Sequence, residues 1–106
     1  MEKKQLTPEG LTPELKAKII GLCKVIVPNA SIWLYGSRAR GDYKDRSDID
    51  LALDAGKPIG FNAIVELKEV LLAANVAYRC DIVDLNAISD TEFKNTITKE
   101  MILWQA

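Results

Sequence analysis

The stretch Asp48-Ile49-Asp50-Leu51-Ala52-Leu53 restricts the fold more than any other part of the chain. It alternates with the period of a β-strand, so Ile49, Leu51 and Leu53 face one side and Asp48, Asp50 and Ala52 the other. The apolar side requires a core. The acidic side requires water or cations, because an unpartnered carboxylate is costly to bury. Carboxylates at i and i+2 of a strand have Cα atoms roughly 6.6 Å apart on one face, so their oxygens can converge. Two-metal phosphoryl chemistry uses ions about 3.5–4 Å apart held by such groups, and Mg²⁺ prefers oxygen ligands.

A second strand, Ser31–Tyr35, precedes this one and stops abruptly at Gly36-Ser37. A tight turn into a short helix is expected there. Glycine lets backbone approach a phosphate, and a helix N-terminus offers free N–H groups and partial positive charge. Ser37 adds a hydroxyl. Arg38, Arg40, Lys44 and Arg46 follow as candidates to neutralise a triphosphate, and Ser47 stands ready to orient the strand or to touch nucleotide. A third carboxylate is expected on a neighbouring strand over 77–85. Asp81 is the candidate. Asp84 has the opposite parity and lies near the strand end, and Asp54 falls past its own strand.

The remaining periodicities complete an α/β domain. Thr12-Pro13-Glu14 fits a helix start, with Thr12 as cap and Pro13 at the first position. Leu15, Ile19, Leu22 and Ile26 then recur at helical spacing, and Pro28-Asn29 ends the run. Helical spacing returns over 61–74. Ser89 and Glu92 read as a capping box opening a last helix through Phe93, Ile97, Met101 and Trp104. That stripe is expected to pack in the core, with part of it available to a partner. The order helix, strand, short helix, strand, helix, strand, helix predicts a small sheet with flanking helices. Residues 1–11 read as a flexible leader before a single domain over 12–106.

Composition narrows the chemistry. The 106 residues fit one domain. The chain has no histidine, which removes His-based triads, His-ligated zinc and imidazole acid–base catalysis. Cys23 and Cys80 form no CxxC pair, and a reduced state is the simpler reading. The net charge of −1 does not favour general nucleic-acid binding. No apolar h-region follows the first charged residues and no run approaches a membrane span, so a cytoplasmic location is expected.

The pattern Gly36-Ser37-x-Ala39-x-Gly41, five residues, then Ser47-Asp48-x-Asp50-Leu51 resembles the signature of the DNA polymerase β-like nucleotidyltransferases. The short chain is similar to the minimal nucleotidyltransferases (MNT) within that superfamily, and Cys80-Asp81-Ile82 resembles the strand of the third carboxylate. The resemblance runs from about residue 15 to the C-terminus. It implies the nucleotidyltransferase fold, a mixed sheet with Gly36 and Ser37 in a nucleotide-phosphate loop. Asp48, Asp50 and Asp81 would hold two divalent ions, Mg²⁺ by expectation. It implies transfer of a nucleoside monophosphate, AMP from ATP, to a hydroxyl with release of pyrophosphate. It also implies a small helical HEPN-type partner, a tyrosine of which would be the acceptor, with the chain as antitoxin in a hetero-oligomer or homo-oligomer. Two other classes fit the same residues: an antitoxin acting by contact alone, and a small-molecule nucleotidyltransferase. The lack of room for an acceptor-binding domain argues against the latter.

Overall fold

The computed structural model describes residues 5–106. The first helix, α1 (Pro13–Ile26), starts where Thr12 Oγ1 accepts a hydrogen bond from the Leu15 amide at 3.2 Å. Pro13 sits at its first position, where a missing N–H costs nothing. The chain then runs through β1 (Ser31–Tyr35), α2 (Ser37–Arg40), β2 (Ile49–Asp54), α3 (Phe61–Ala73), β3 (Cys80–Asp84), α4 (Thr91–Glu100) and β4 (Ile102–Gln105). The sheet order is β3-β2-β1-β4. β1 pairs antiparallel with β2 and with β4, and β2 pairs parallel with β3.

The alternation predicted for β2 divides the molecule into two layers of packing. Ile32, Leu34, Ile49, Leu51, Leu53 and Ile82 pack with Ile19, Cys23, Leu67 and Leu71 from α1 and α3 into the larger core. On the opposite face Tyr35, Ala52, Leu85 and Ile97 form a smaller cluster under α4. This second face is only partly covered by α4, and there the polar ends of β1 and β2 stay reachable. Burial pushes the Cys23 thiol up to about 12 and the Cys80 thiol to about 11, so neither is a nucleophile at neutral pH. Among the described residues no helix is long and apolar enough to cross a membrane.

Two expectations about the C-terminal part are corrected. The helix read through Met101 and Trp104 ends at Glu100. Met101 turns extended (φ −68°, ψ 143°), and residues 102–105 form β4. Pairing with β1, from Leu34↔Ile102 to Ile32↔Gln105, outweighs the helical spacing of the apolar side chains. The cap of α4 is also one residue later than expected: Asp90 Oδ1, not Ser89, accepts from the Phe93 amide at 3.2 Å.

Of the leader expected over 1–11, residues 9–11 are packed, residues 5, 6 and 8 are exposed, and residues 1–4 lie outside the described residues. Glu9 and Leu11 are buried. The Trp104 indole N–H donates to Glu9 Oε2 at 2.8 Å, and Lys16 Nζ lies 2.9 Å from the same oxygen. Burial works to raise the Glu9 carboxyl, but the hydrogen bonds from Lys16, its own backbone and Trp104 overcome this and hold it below its ordinary value. A depressed carboxyl stabilises the fold above its unfolded-state value and loses that contribution as pH falls through the folded one. Glu9→Ala leaves the Trp104 donor unpaired in a buried place and is expected to destabilise by about 2 kcal/mol. Urea unfolding at neutral pH measures this, and a change below about 0.5 kcal/mol would mean that the turn does not hold β4.

Candidate active site

The site grows from the break after β1. Gly36 adopts φ 77° and ψ −158°, a region essentially closed to residues with a side chain. A Cβ at Gly36 would run into Asp50 Oδ2. The Gly36 carbonyl accepts from the amides of Ala39 and Arg40 at 3.1 and 3.0 Å, which winds α2 directly out of the strand. Gly41, left-handed at φ 92°, closes that turn with its amide on the Ser37 carbonyl. Ser37 is thereby fixed in the first turn beside the acidic strand.

The sheet register assembles the acids. Asp50 on β2 is paired with Asp81 on β3 and with Tyr35 on β1. The three lie in a row across the face that carries α4. Asp48 stands just before β2 and is exposed. Asp50 is half-buried, and its carboxyl is pushed up to about 6, first by burial, then by the negative charges of Asp81 and Asp48, with Arg40 opposing. The Tyr35 hydroxyl is also raised, by burial and then by Asp50, Asp81 and Glu100. A cavity of ≈470 Å³ opens over this face, lined by Ser37, Arg40, Asp48, Asp50, Phe93 and Glu100 among others. Asp81 borders a second cavity, ≈510 Å³, between β3 and α3.

Among the described residues no three His, Cys, Asp or Glu side chains are drawn into a closed metal-holding cluster. The donor set nevertheless fits a hard divalent ion. It is all oxygen, it comes from adjacent strands, and its central member already feels excess negative charge that a cation would relieve.

The basic residues divide. Arg40 is on the site, half-exposed, with its guanidinium 3.3 Å from Asp42 and 3.2 Å from Glu100. Arg38, expected at phosphate, is turned away: it is 2% exposed and committed to backbone carbonyls. Its Nε and Nη2 donate to Ser47 O at 3.1 and 2.9 Å, Nη1 to Glu9 O at 2.9 Å, and Nη2 also to Asp45 O at 3.3 Å. Tyr43 and Tyr78 rings flank the guanidinium at 5.0 and 4.6 Å. Ser47 lines the cavity, but its hydroxyl oxygen already accepts from the Lys44 amide at 2.8 Å. Lys44 and Arg46 are exposed beside the loop.

Asp54 and Asp84 serve the scaffold. Asp54 is the last residue of β2 rather than lying past it, and accepts from Asn86 and from the Gly56 amide. Asp84 Oδ2 accepts from the amides of Ile59 and Gly60 at the start of α3, where a negative charge suits the helix dipole. Glu100 was not expected in the site. It comes from the end of α4 and accepts from the Gly36 amide at 3.0 Å. Its only signal in the sequence is a charged residue closing an amphipathic run, which most helices share.

The model of the family described as "Polymerase beta, Nucleotidyltransferase" matches residues 17–105. The chain is 31% identical over 96 residues to the "Probable protein adenylyltransferase MntA" of Haemophilus influenzae, covering 87% of this chain and 83% of that protein. The crystal structure of a toxin–antitoxin with AMP-PNP contains a chain that superposes with a TM-score of 0.73 at 28% identity, covering 86% of this chain and 73% of that one. A chain in the complex of a tri-AMPylated Shewanella oneidensis HEPN toxin with its MNT antitoxin gives a TM-score of 0.68 at 26% identity, over 88% and 71% of the two chains. The four-stranded mixed sheet with its flanking helices is the nucleotidyltransferase fold. With the Gly-Ser turn set against the acidic strand inside a match that covers most of its length, the chain belongs to the polymerase beta nucleotidyltransferase family.

Proposed function

We propose that the protein is a metal-dependent protein adenylyltransferase and antitoxin that transfers AMP from ATP to a tyrosine hydroxyl on a small helical HEPN-type partner in the cytoplasm. The observation that carries this reading is the rung Asp50↔Asp81 set beside the Gly36-Ser37 turn. A module that bound by contact alone would gain nothing from such a concentration of negative charge. The related proteins named above support the partner and the nucleotide.

Asp48, Asp50 and Asp81 would hold two Mg²⁺ ions. Such ions neutralise the triphosphate and acidify the acceptor hydroxyl. The chain's own residues do the rest. Gly36 allows the loop backbone to approach the phosphates, and Ser37 and Arg40 supply a hydroxyl and a positive charge. The acceptor oxygen attacks the α-phosphorus in line as the bond to the bridging β-phosphate oxygen breaks, and pyrophosphate leaves. Histidine is absent, and among the chain's own groups Asp81, on the outer strand, is the one that receives the acceptor proton. Arg38 acts one step removed, by holding the backbone that leads into Asp48.

The test mixes the protein, Mg²⁺, α-labelled ATP and a small helical HEPN-type protein from the same organism, with Asp48→Asn as control. Label is expected on the partner, and the control should lose at least about a hundredfold in rate. A stable complex that never takes up label would leave the contact-only antitoxin as the better reading.

A further inference from the structure

Glu100 closes off the phosphate loop from the far side of the cavity. One carboxylate oxygen accepts from the Gly36 amide at 3.0 Å, and Arg40 Nη1 donates to both oxygens at 3.3 and 3.2 Å. The side chain is only 17% exposed. It lines the same cavity as Ser37, Asp48 and Asp50. A glutamate at a helix end would ordinarily extend into water, and a negative charge also disfavours the C-terminal end of a helix dipole. Here it turns inward, toward a face that already carries Asp50 and Asp81. A loop amide and a guanidinium hold it there, and those are the donors that bind a phosphate oxygen.

We propose that Glu100 is an internal stand-in for a nucleotide phosphate, one that an incoming triphosphate must displace from Gly36 and Arg40. This rests on the reading of the Gly36-Ser37 turn as the nucleotide loop. Glu100 satisfies the loop amide while the site is empty. When nucleotide enters, the carboxylate gives up both donors and rotates away, because two anions cannot share them. When pyrophosphate leaves, it returns and opposes rebinding. Glu100 therefore sets nucleotide affinity and the rate of product release. The backbone need not move, since the displaced group is a single side chain at the junction of α4 and β4.

The experiment measures binding of AMP-PNP and of inorganic pyrophosphate, each with Mg²⁺, by calorimetry on the full chain. Glu100→Gln keeps the size and an acceptor for Gly36 but removes the charge, and Glu100→Ala removes the group. Melting curves of both variants check that they fold. Replacing a charge-assisted contact by a neutral one should tighten both probes about tenfold or more in Glu100→Gln, and Glu100→Ala should also bind more tightly than the parent. Equal or weaker binding in both variants, with the parent binding normally, would overturn the stand-in and make Glu100 a residue that positions Arg40. Failure of both probes to bind the parent and both variants would overturn the nucleotide site together with this role.

Discussion

Asp50→Asn is expected to lower transfer by about a thousandfold or more and, in the metal-free protein, to raise the melting temperature. The two effects have one cause. Asp50 stands between Asp81 and Tyr35 on the same rung of the sheet, half-buried, with its carboxyl pushed up to about 6 by burial and by neighbouring negative charge. A carboxyl whose folded value lies above its unfolded value binds more protons folded than unfolded. Stability must therefore fall as pH rises from about 4 to about 6. At neutral pH the parent carries the full penalty and the asparagine variant carries none. Allowing for solvent screening, the gain is about 1 kcal/mol, or about 4–8 °C in a domain of this size. Melting curves with a chelator at pH 5 and pH 7.5 measure it: the gap between variant and parent should widen at the higher pH. A variant that melts lower than its parent at both pH values would show that Asp50 is a partner in the fold rather than a charge held ready for a ligand.

Arg38→Ala is expected to cost about 3 kcal/mol or more of stability. The guanidinium donates to three backbone carbonyls, those of Glu9, Asp45 and Ser47, and lies between two tyrosine rings. Removal leaves those acceptors without a donor and opens a hole at a position that is 2% exposed. Lysine cannot replace a planar fork with several donors, so Arg38→Lys should recover only part of the loss. Urea unfolding gives the number. Transfer should also fall in the folded fraction, because the Ser47 carbonyl that Arg38 holds precedes Asp48 directly. A loss under about 1 kcal/mol, with weakened nucleotide binding, would return Arg38 to the phosphate side.

What could be read from the residues was whatever depends on neighbours along the chain. Thr12 and Pro13 announce α1 because cap and first position are adjacent. Asp48 and Asp50 share a face because strand period is local, and Gly36 sits at a strand end because few other residues tolerate its backbone angles. Whatever depends on partners far along the chain was hidden. Phe93, Ile97, Met101 and Trp104 keep helical spacing, yet the last two are drawn into extended chain because the free edge of β1 accepts β4. The apolar run Met101-Ile102-Leu103-Trp104 was the one hint of a strand. Arg38 and Arg40 look alike in a basic stretch, and what distinguishes them is the set of partners the fold brings to Arg38, the carbonyls of Glu9, Asp45 and Ser47 and two tyrosine rings. Glu100 reaches Gly36 across 64 positions, beyond any local pattern.

The position of Glu9 makes segments from opposite ends of the chain mechanically dependent. Its carboxylate holds Trp104 of β4, its carbonyl receives Arg38, and Arg38 grips the backbone just ahead of Asp48. Loosening β4 would remove the counterweight on Glu9, and the slack would pass through one buried cation to the loop carrying a proposed metal ligand. Sheet edge, N-terminal turn and the loop ahead of Asp48 should thus open as one cooperative unit in amide exchange.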